Sequence, residues 1–160
     1  MLIDSQLQFS DAQAVTATAI SANVLDTQTL QAGAGTNIGP NASVNFGIGD
    51  GELYLVVQTK VACTDVGSDA TLAVTLETAT DVGLTAGVVV LATSPTLAFA
   101  AYSAAGSSVF VTKMPIGSYK RYLGVRYTVA AGPLTAGAFD AMLVNDAQLQ
   151  AIYKSGYTVQ

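Results

Sequence analysis

The side chains in this sequence that could do chemistry are its carboxylates, because the usual partners of catalysis are missing. The chain has eleven Asp and Glu, six Lys and Arg, one Cys and no His. A Ser-His-Asp or Cys-His relay needs an imidazole, so neither can form. A thiolate zinc centre needs several Cys or His, and an internal disulfide needs two Cys. Acidic pairs remain. Asp50 with Glu52, and Asp65 with Asp69, could offer oxygens to a hard cation. Calcium takes six or more oxygens from a shaped loop, and neither spacing is that of an EF-hand, so these read as acidic turn residues. A carboxylate pair could also hydrolyse a glycoside if it faced a cleft with one pKa raised. The acids here fall mostly in turns, where water solvates both partners. The expectation is therefore no enzyme, no catalytic residue, no cofactor and no metal.

Other local motifs are weaker. Gly33-Ala34-Gly35 begins like a phosphate-cradling loop but lacks the third glycine and the strand-turn-helix setting, so it reads as a flexible loop. Asn41-Ala42-Ser43 fits a glycosylation sequon. Residues Met1–Gln6 show no basic region ahead of an apolar one, so no export signal is expected and the sequon reads as chance. A lone Cys63 suits a reducing cytoplasm and reads as an inert residue near a strand end. No charge occurs between Asp81 and Lys113, which invites a membrane reading. The run Val88–Ala92 is cut by Thr93, Ser94 and Pro95, far short of the roughly 20 apolar residues of a span, so no membrane is expected.

These residues must be positioned by strands, because apolar side chains alternate with a period of two between Gly, Pro, Asn and Asp breaks. Leu53, Leu55, Val57, Thr59 and Val61 share one face, with Tyr54, Val56, Gln58 and Lys60 on the other. A turn at Thr64–Asp69 leads to a strand with Leu72, Val74 and Leu76 inward and Thr75 and Glu77 outward. Val88–Leu91 is continuous rather than alternating, which predicts a strand covered on both faces. Thr96–Ala100 reads as a short strand, Tyr102–Gly106 as loop and Ser108–Lys113 as strand. The longest alternation, Tyr119–Val129, puts Tyr119, Arg121, Leu123, Val125 and Tyr127 on one face and Lys120, Tyr122, Gly124 and Arg126 on the other. After a turn at Gly132-Pro133-Leu134, Ala136–Val144 returns with Gly137, Phe139, Ala141 and Leu143 inward. Asp146–Tyr153 is a modest helix candidate with Asn145 as its cap. Short strands about ten residues apart predict an all-β, antiparallel, jelly-roll-like β-sandwich in one domain over 1–160. Residues 1–25 read either as an extended N-terminal arm reaching a neighbouring subunit or as an edge strand.

The surface implied by this composition is unusual. Only 11% of residues are charged, the hydrophobic share is 51%, and net charge is −5; the pI is about 4.2 and mean hydropathy +0.46. An ordinary domain has about 25% charged residues. So sparse a surface points to coverage in an assembly, and the acidic balance argues against nucleic acid. Half of the basic residues, Lys120, Arg121 and Arg126, lie beside Tyr119, Tyr122 and Tyr127. Tyr and Arg are enriched at interfaces, which makes Tyr122 and Arg126 interface candidates. Leu2, Ile3 and Leu7 join them as the apolar residues of the arm.

Three segments carry a resemblance. They are Met1-Leu2-Ile3-Asp4-Ser5-Gln6-Leu7 with Ser10–Thr16, then Ser21 and Val24-Leu25-Asp26, and finally Arg121–Val129 with Gly132–Gly137. In their order and spacing the chain resembles the capsid cement (decoration) proteins of short-tailed bacteriophages, of the type recognised in a Bordetella phage. The resemblance implies a jelly roll on the outer face of an icosahedral head, made in the host cytoplasm and bridging major capsid subunits against internal pressure. It implies a homo-oligomer, with a dimer favoured and a trimer the alternative, and no catalytic residues. Deleting residues 1–12 would then weaken capsid binding and leave the fold intact. The rival reading is a carbohydrate-binding β-sandwich acting as a virion adhesin, which needs exposed aromatics along a groove.

Overall fold

The computed structural model describes residues 7–27 and 53–145. Ten strands follow in order: β1 (Gln8–Ala14), β2 (Ala19–Ile20), β3 (Leu25–Asp26), β4 (Tyr54–Thr64), β5 (Thr71–Ala79), β6 (Val89–Thr93), β7 (Leu97–Ala98), β8 (Ser108–Lys113), β9 (Tyr122–Ala130) and β10 (Ala136–Val144). One helical turn, α1 (Phe99–Tyr102), lies between β7 and β8. They form two antiparallel sheets, β1-β10-β4-β8 and β2-β9-β5-β6, with β3 extending the β2 side and β7 the β6 side. The chain crosses between the sheets from β4 to β5, from β8 to β9 and from β9 to β10, and this winding is that of a jelly roll.

Alternation places the core where the pattern predicts. Leu55, Val57, Phe139, Ala141 and Leu143 of one sheet meet Leu72, Val74, Leu76, Leu123, Val125 and Tyr127 of the other, all buried. Burying each Val, Leu or Phe of this set is worth roughly 1.5–3 kcal/mol. The Tyr127 and Phe139 rings stack across the two sheets at 5.5 Å. Tyr127 donates to Ser10 Oγ (3.0 Å), tying β9 to β1. A second small cluster of Val56, Met142 and Val144 lies on the other face of β4 and β10, beside Tyr54.

Several local expectations are corrected. Val88–Leu91 was expected to be covered on both faces, yet β6 ends its sheet and Val90 is 53% exposed. A continuous apolar run does not by itself distinguish a central strand from an edge strand with an apolar outer face. Thr96–Ala100 forms a strand only at Leu97–Ala98 before α1 begins. Tyr102, read as loop, is fully buried; its hydroxyl donates to the Ala70 carbonyl (3.0 Å) and its own carbonyl accepts from Thr59 Oγ1 (2.6 Å). The Tyr119–Val129 pattern becomes strand only from Tyr122, so Arg121 escapes the inward face and pairs with Asp26. Gly137 marks a bulge opposite Cys63: its φ is +149° and a Cβ there would lie 2.6 Å from Cys63 Sγ.

Residues 8–14, within the stretch read as arm or edge strand, form an edge strand on β10, with Phe9 fully buried. Deleting residues 1–12 would therefore remove core, not an appendage. The helix candidate at 146–153, the Gly33 loop, Asn41, Asp50 and Glu52 lie outside the described residues.

Candidate functional site

The residues singled out as interface candidates fall in three places. Leu2 and Ile3 lie outside the described residues. Leu7 is half-buried against the main core, just ahead of β1. Tyr122 and Arg126 share the outward face of β9, four residues and so about 13 Å apart along the strand. The structure thus brings Tyr122 and Arg126 onto one surface and leaves Leu7 at the other sheet.

That surface is built by pairing long strands. β9 and β5 run in unbroken register from Thr71↔Ala130 to Ala79↔Tyr122, which sets Arg126 beside Thr75 and near Glu77. Arg126 Nε donates to both Glu77 oxygens (3.1 and 2.9 Å), and its Nη2 donates to the Leu84 carbonyl (2.8 Å). The Glu77 side chain is only 6% exposed. A buried carboxylate needs this partner, because an unpaired charge there would cost several kcal/mol of desolvation. Thr75 Oγ1 completes its shell at 2.8 Å. Arg126 is therefore fastened within the chain by both charge and hydrogen bonds.

The 80–88 loop closes over the same sheet. Asp81 accepts from the backbone N–H of Thr85 (3.0 Å) and Ala86 (2.6 Å) and from Thr85 Oγ1 (2.8 Å). Those donors, Ala86 first, hold its carboxyl below the usual value for Asp. Lys120 donates to the Gly87 carbonyl. Leu84, buried despite a φ of +49°, lies over Gly124. A Cβ on Gly124 would stand 2.8 Å from Leu84 Cδ1 and 3.3 Å from Val24 Cγ2. Sequence reasoning missed this small outer core. Its signal is a glycine inside the bulkiest strand and a leucine inside a turn.

Just ahead of β9, Arg121 forms a two-pronged pair with Asp26 (Nη2–Oδ2 2.8 Å) and lies 5.0 Å over the Tyr122 ring. On the opposite sheet, buried Asp140 accepts from the Ala12 N–H (2.7 Å) and lies 3.4 Å from Lys60 Nζ, fixing the β1 bulge. The Asp65–Asp69 pair is a turn device. Asp65 accepts from the N–H groups of Ala70 (3.0 Å) and Asp69 (2.9 Å), which lowers its pKa. Burial pushes the Cys63 thiol up to about 11. Among the described residues no three His, Cys, Asp or Glu side chains group as a metal site would require. Among the described residues, Asp26, Glu77 and Asp140 are each held by an ion pair within the chain.

No curated protein matches the chain. A family model does, over residues 9–143, which takes in strands of both sheets. By that match the chain belongs to the Bbp16 family, a protein family of a Bordetella phage.

Proposed function

We propose that this protein is a structural component of a phage virion. It binds the outer surface of an icosahedral head and cements neighbouring major capsid subunits against internal pressure. The observation that carries the reading is the family match across nearly the whole described fold. Supporting it is the nature of the surface: among the described residues, ion pairs link β3 to the start of β9, β5 to β9 and β4 to β10, and the large exposed apolar side chains are valines and one isoleucine. Such a molecule works by rigid shape and repeated contact, since many modest contacts on a symmetric lattice add through multivalency. It acts without catalysis, cofactor or nucleic acid, and as a homo-oligomer, a dimer before a trimer. The adhesin reading has less to stand on, because among the described residues no aromatic ring is exposed.

The test is direct. Purified protein added to emptied, expanded heads should cosediment at a fixed ratio and raise their melting temperature. Heads that neither bind it nor gain stability would refute the proposal, and a glycan array hit would then favour the adhesin. Truncation of residues 1–6 should weaken binding if Leu2 and Ile3 reach a neighbour. Full retention would remove them from the interface.

A further inference from the structure

The inward face of the β1-β10-β4-β8 sheet meets the other sheet, so its outward face is the one that water should reach. Strand pairing sets the outward side chains of β10, β4 and β8 in rows. Val144, Tyr54 and Lys113 form the row at one end of the sandwich, and Met142, Val56 and Val111 form the next. Asp140 and Gln58 begin the third, which is polar, with Gln58 Nε2 donating to Asp140 (3.3 Å).

The two apolar rows are closed off from water. Val56 is fully buried, and Met142 and Val144 are buried with it. Neighbouring strands shield the sides of such residues and leave their tips open, so a further layer must lie on them. Among the described residues, Tyr54 is the one partly buried hydrophobic side chain packed against this group. The layer also has an edge. Val111 shares a row with Val56 but stands on β8, and it is 43% exposed. The layer therefore covers β10 and β4 and stops short of β8.

We infer that the layer is the segment that follows β10, with residues 146–153 laid as an amphipathic helix over Met142, Val144 and Val56. Continuity selects this occupant. β10 ends at Val144, in the covered row, and the exposed Asn145 comes next. Asn145-Asp146 suits a turn back over the sheet and a helix cap. Leu149, Ile152 and Tyr153 then recur at helical spacing and share one face. A helix of this length is about 12 Å long, enough to cross two strands roughly 4.8 Å apart. Asp146 at its start and Lys154 just past its end both suit the helix dipole. The other segments outside the described residues fit less well. Residues 28–52 lead into β4, but Gly33, Gly35, Gly39, Pro40 and Gly47 interrupt any helical apolar stripe. Residues 1–6 join at β1, on the side of β10 away from β4. This inference does not depend on binding to a head.

The experiment uses the full chain, with hydrogen peroxide as the probe and two of its own methionines as reporters. Met142 lies under the layer, and Met114 is buried in the main core. Both should resist oxidation to the sulfoxide in the native chain, because susceptibility follows exposure. In the double variant Leu149→Asp/Ile152→Asp, Met142 should oxidise roughly tenfold faster while Met114 stays protected. The β-sheet circular dichroism should be unchanged, and peptide mass spectrometry reads both sites. A native Met142 that oxidises readily, or a folded double variant whose Met142 stays protected, would overturn the inference. In the second case, exposure of Met142 by Phe46→Asp or by Leu2→Asp/Ile3→Asp would reassign the layer to the segment so changed. If the double variant does not fold, benzoylphenylalanine in place of the exposed Val111 gives a second readout at the rim of the layer. Photolysis should join it to a peptide from residues 146–160. A cross-link to residues 1–6 or 28–52 instead, or none within the chain, would overturn the inference.

Discussion

At the scale of single residues, the charges that matter most to the fold are those buried against a partner, Glu77 with Arg126 and Asp140 with Lys60. Arg126 was an interface candidate because Arg beside Tyr is typical of contact surfaces, yet its guanidinium closes on Glu77 and on the Leu84 carbonyl. Arg126→Met removes the partner and leaves the carboxylate buried. The expected loss is about 1–3 kcal/mol, below the roughly 3–5 kcal/mol of a fully buried pair because the arginine keeps partial solvent access. Pairing it with Glu77→Leu should return much of that loss, since the apolar pair needs no ionic partner. Urea denaturation of the single and double variants measures both. A single variant as stable as the native chain would show that water already satisfies Glu77.

Elements were legible to different depths. The long alternations at 53–61, 71–77, 119–129 and 136–144 gave strands over most of their length because one face of each meets the core, and a period of two is the direct trace of that burial. Short pieces were not legible. β2, β3 and β7 are two residues each, held by pairing with β9 or β5, and no local pattern of that length separates strand from turn. Tyr102 was invisible for a related reason: its burial depends on Ala70 and Thr59, both far away in sequence. The 80–88 loop was read only as a break, whereas it is a packed cover. Its seat is Gly124, so Gly124→Val should force Leu84 and Val24 outward. Overpacking of this kind costs about 1–3 kcal/mol. The amides of residues 80–88 should then exchange with deuterium faster, ahead of β5 and β9. Unchanged exchange in that loop would mean that Leu84 is not what holds it down.

For the whole molecule, the linkage between sheets is aromatic and buried, and this fixes how the fold must respond to alkali. Tyr127 stacks on Phe139 across the sandwich, Phe139 lies 6.4 Å from Tyr102, and Tyr119 packs against the same core. Burial pushes Tyr102, Tyr119 and Tyr127 each up to about 12. An unfolded tyrosine ionises near pH 10. The folded chain therefore holds more protons than the unfolded chain between these values, and stability must fall as pH rises through that window. The contribution is complete below about pH 10 and is lost by the time pH has passed about 12. With no His in the chain, no imidazole titrates between pH 5 and 8. Stability should hence be flat through neutrality and collapse cooperatively in alkali. Phenolate absorbance of the buried tyrosines should appear together with the loss of β-sheet circular dichroism. Ionisation of all tyrosines with the β signal intact would mean that these rings reach solvent in the native state. The two sheets would then not be locked to one another by these rings.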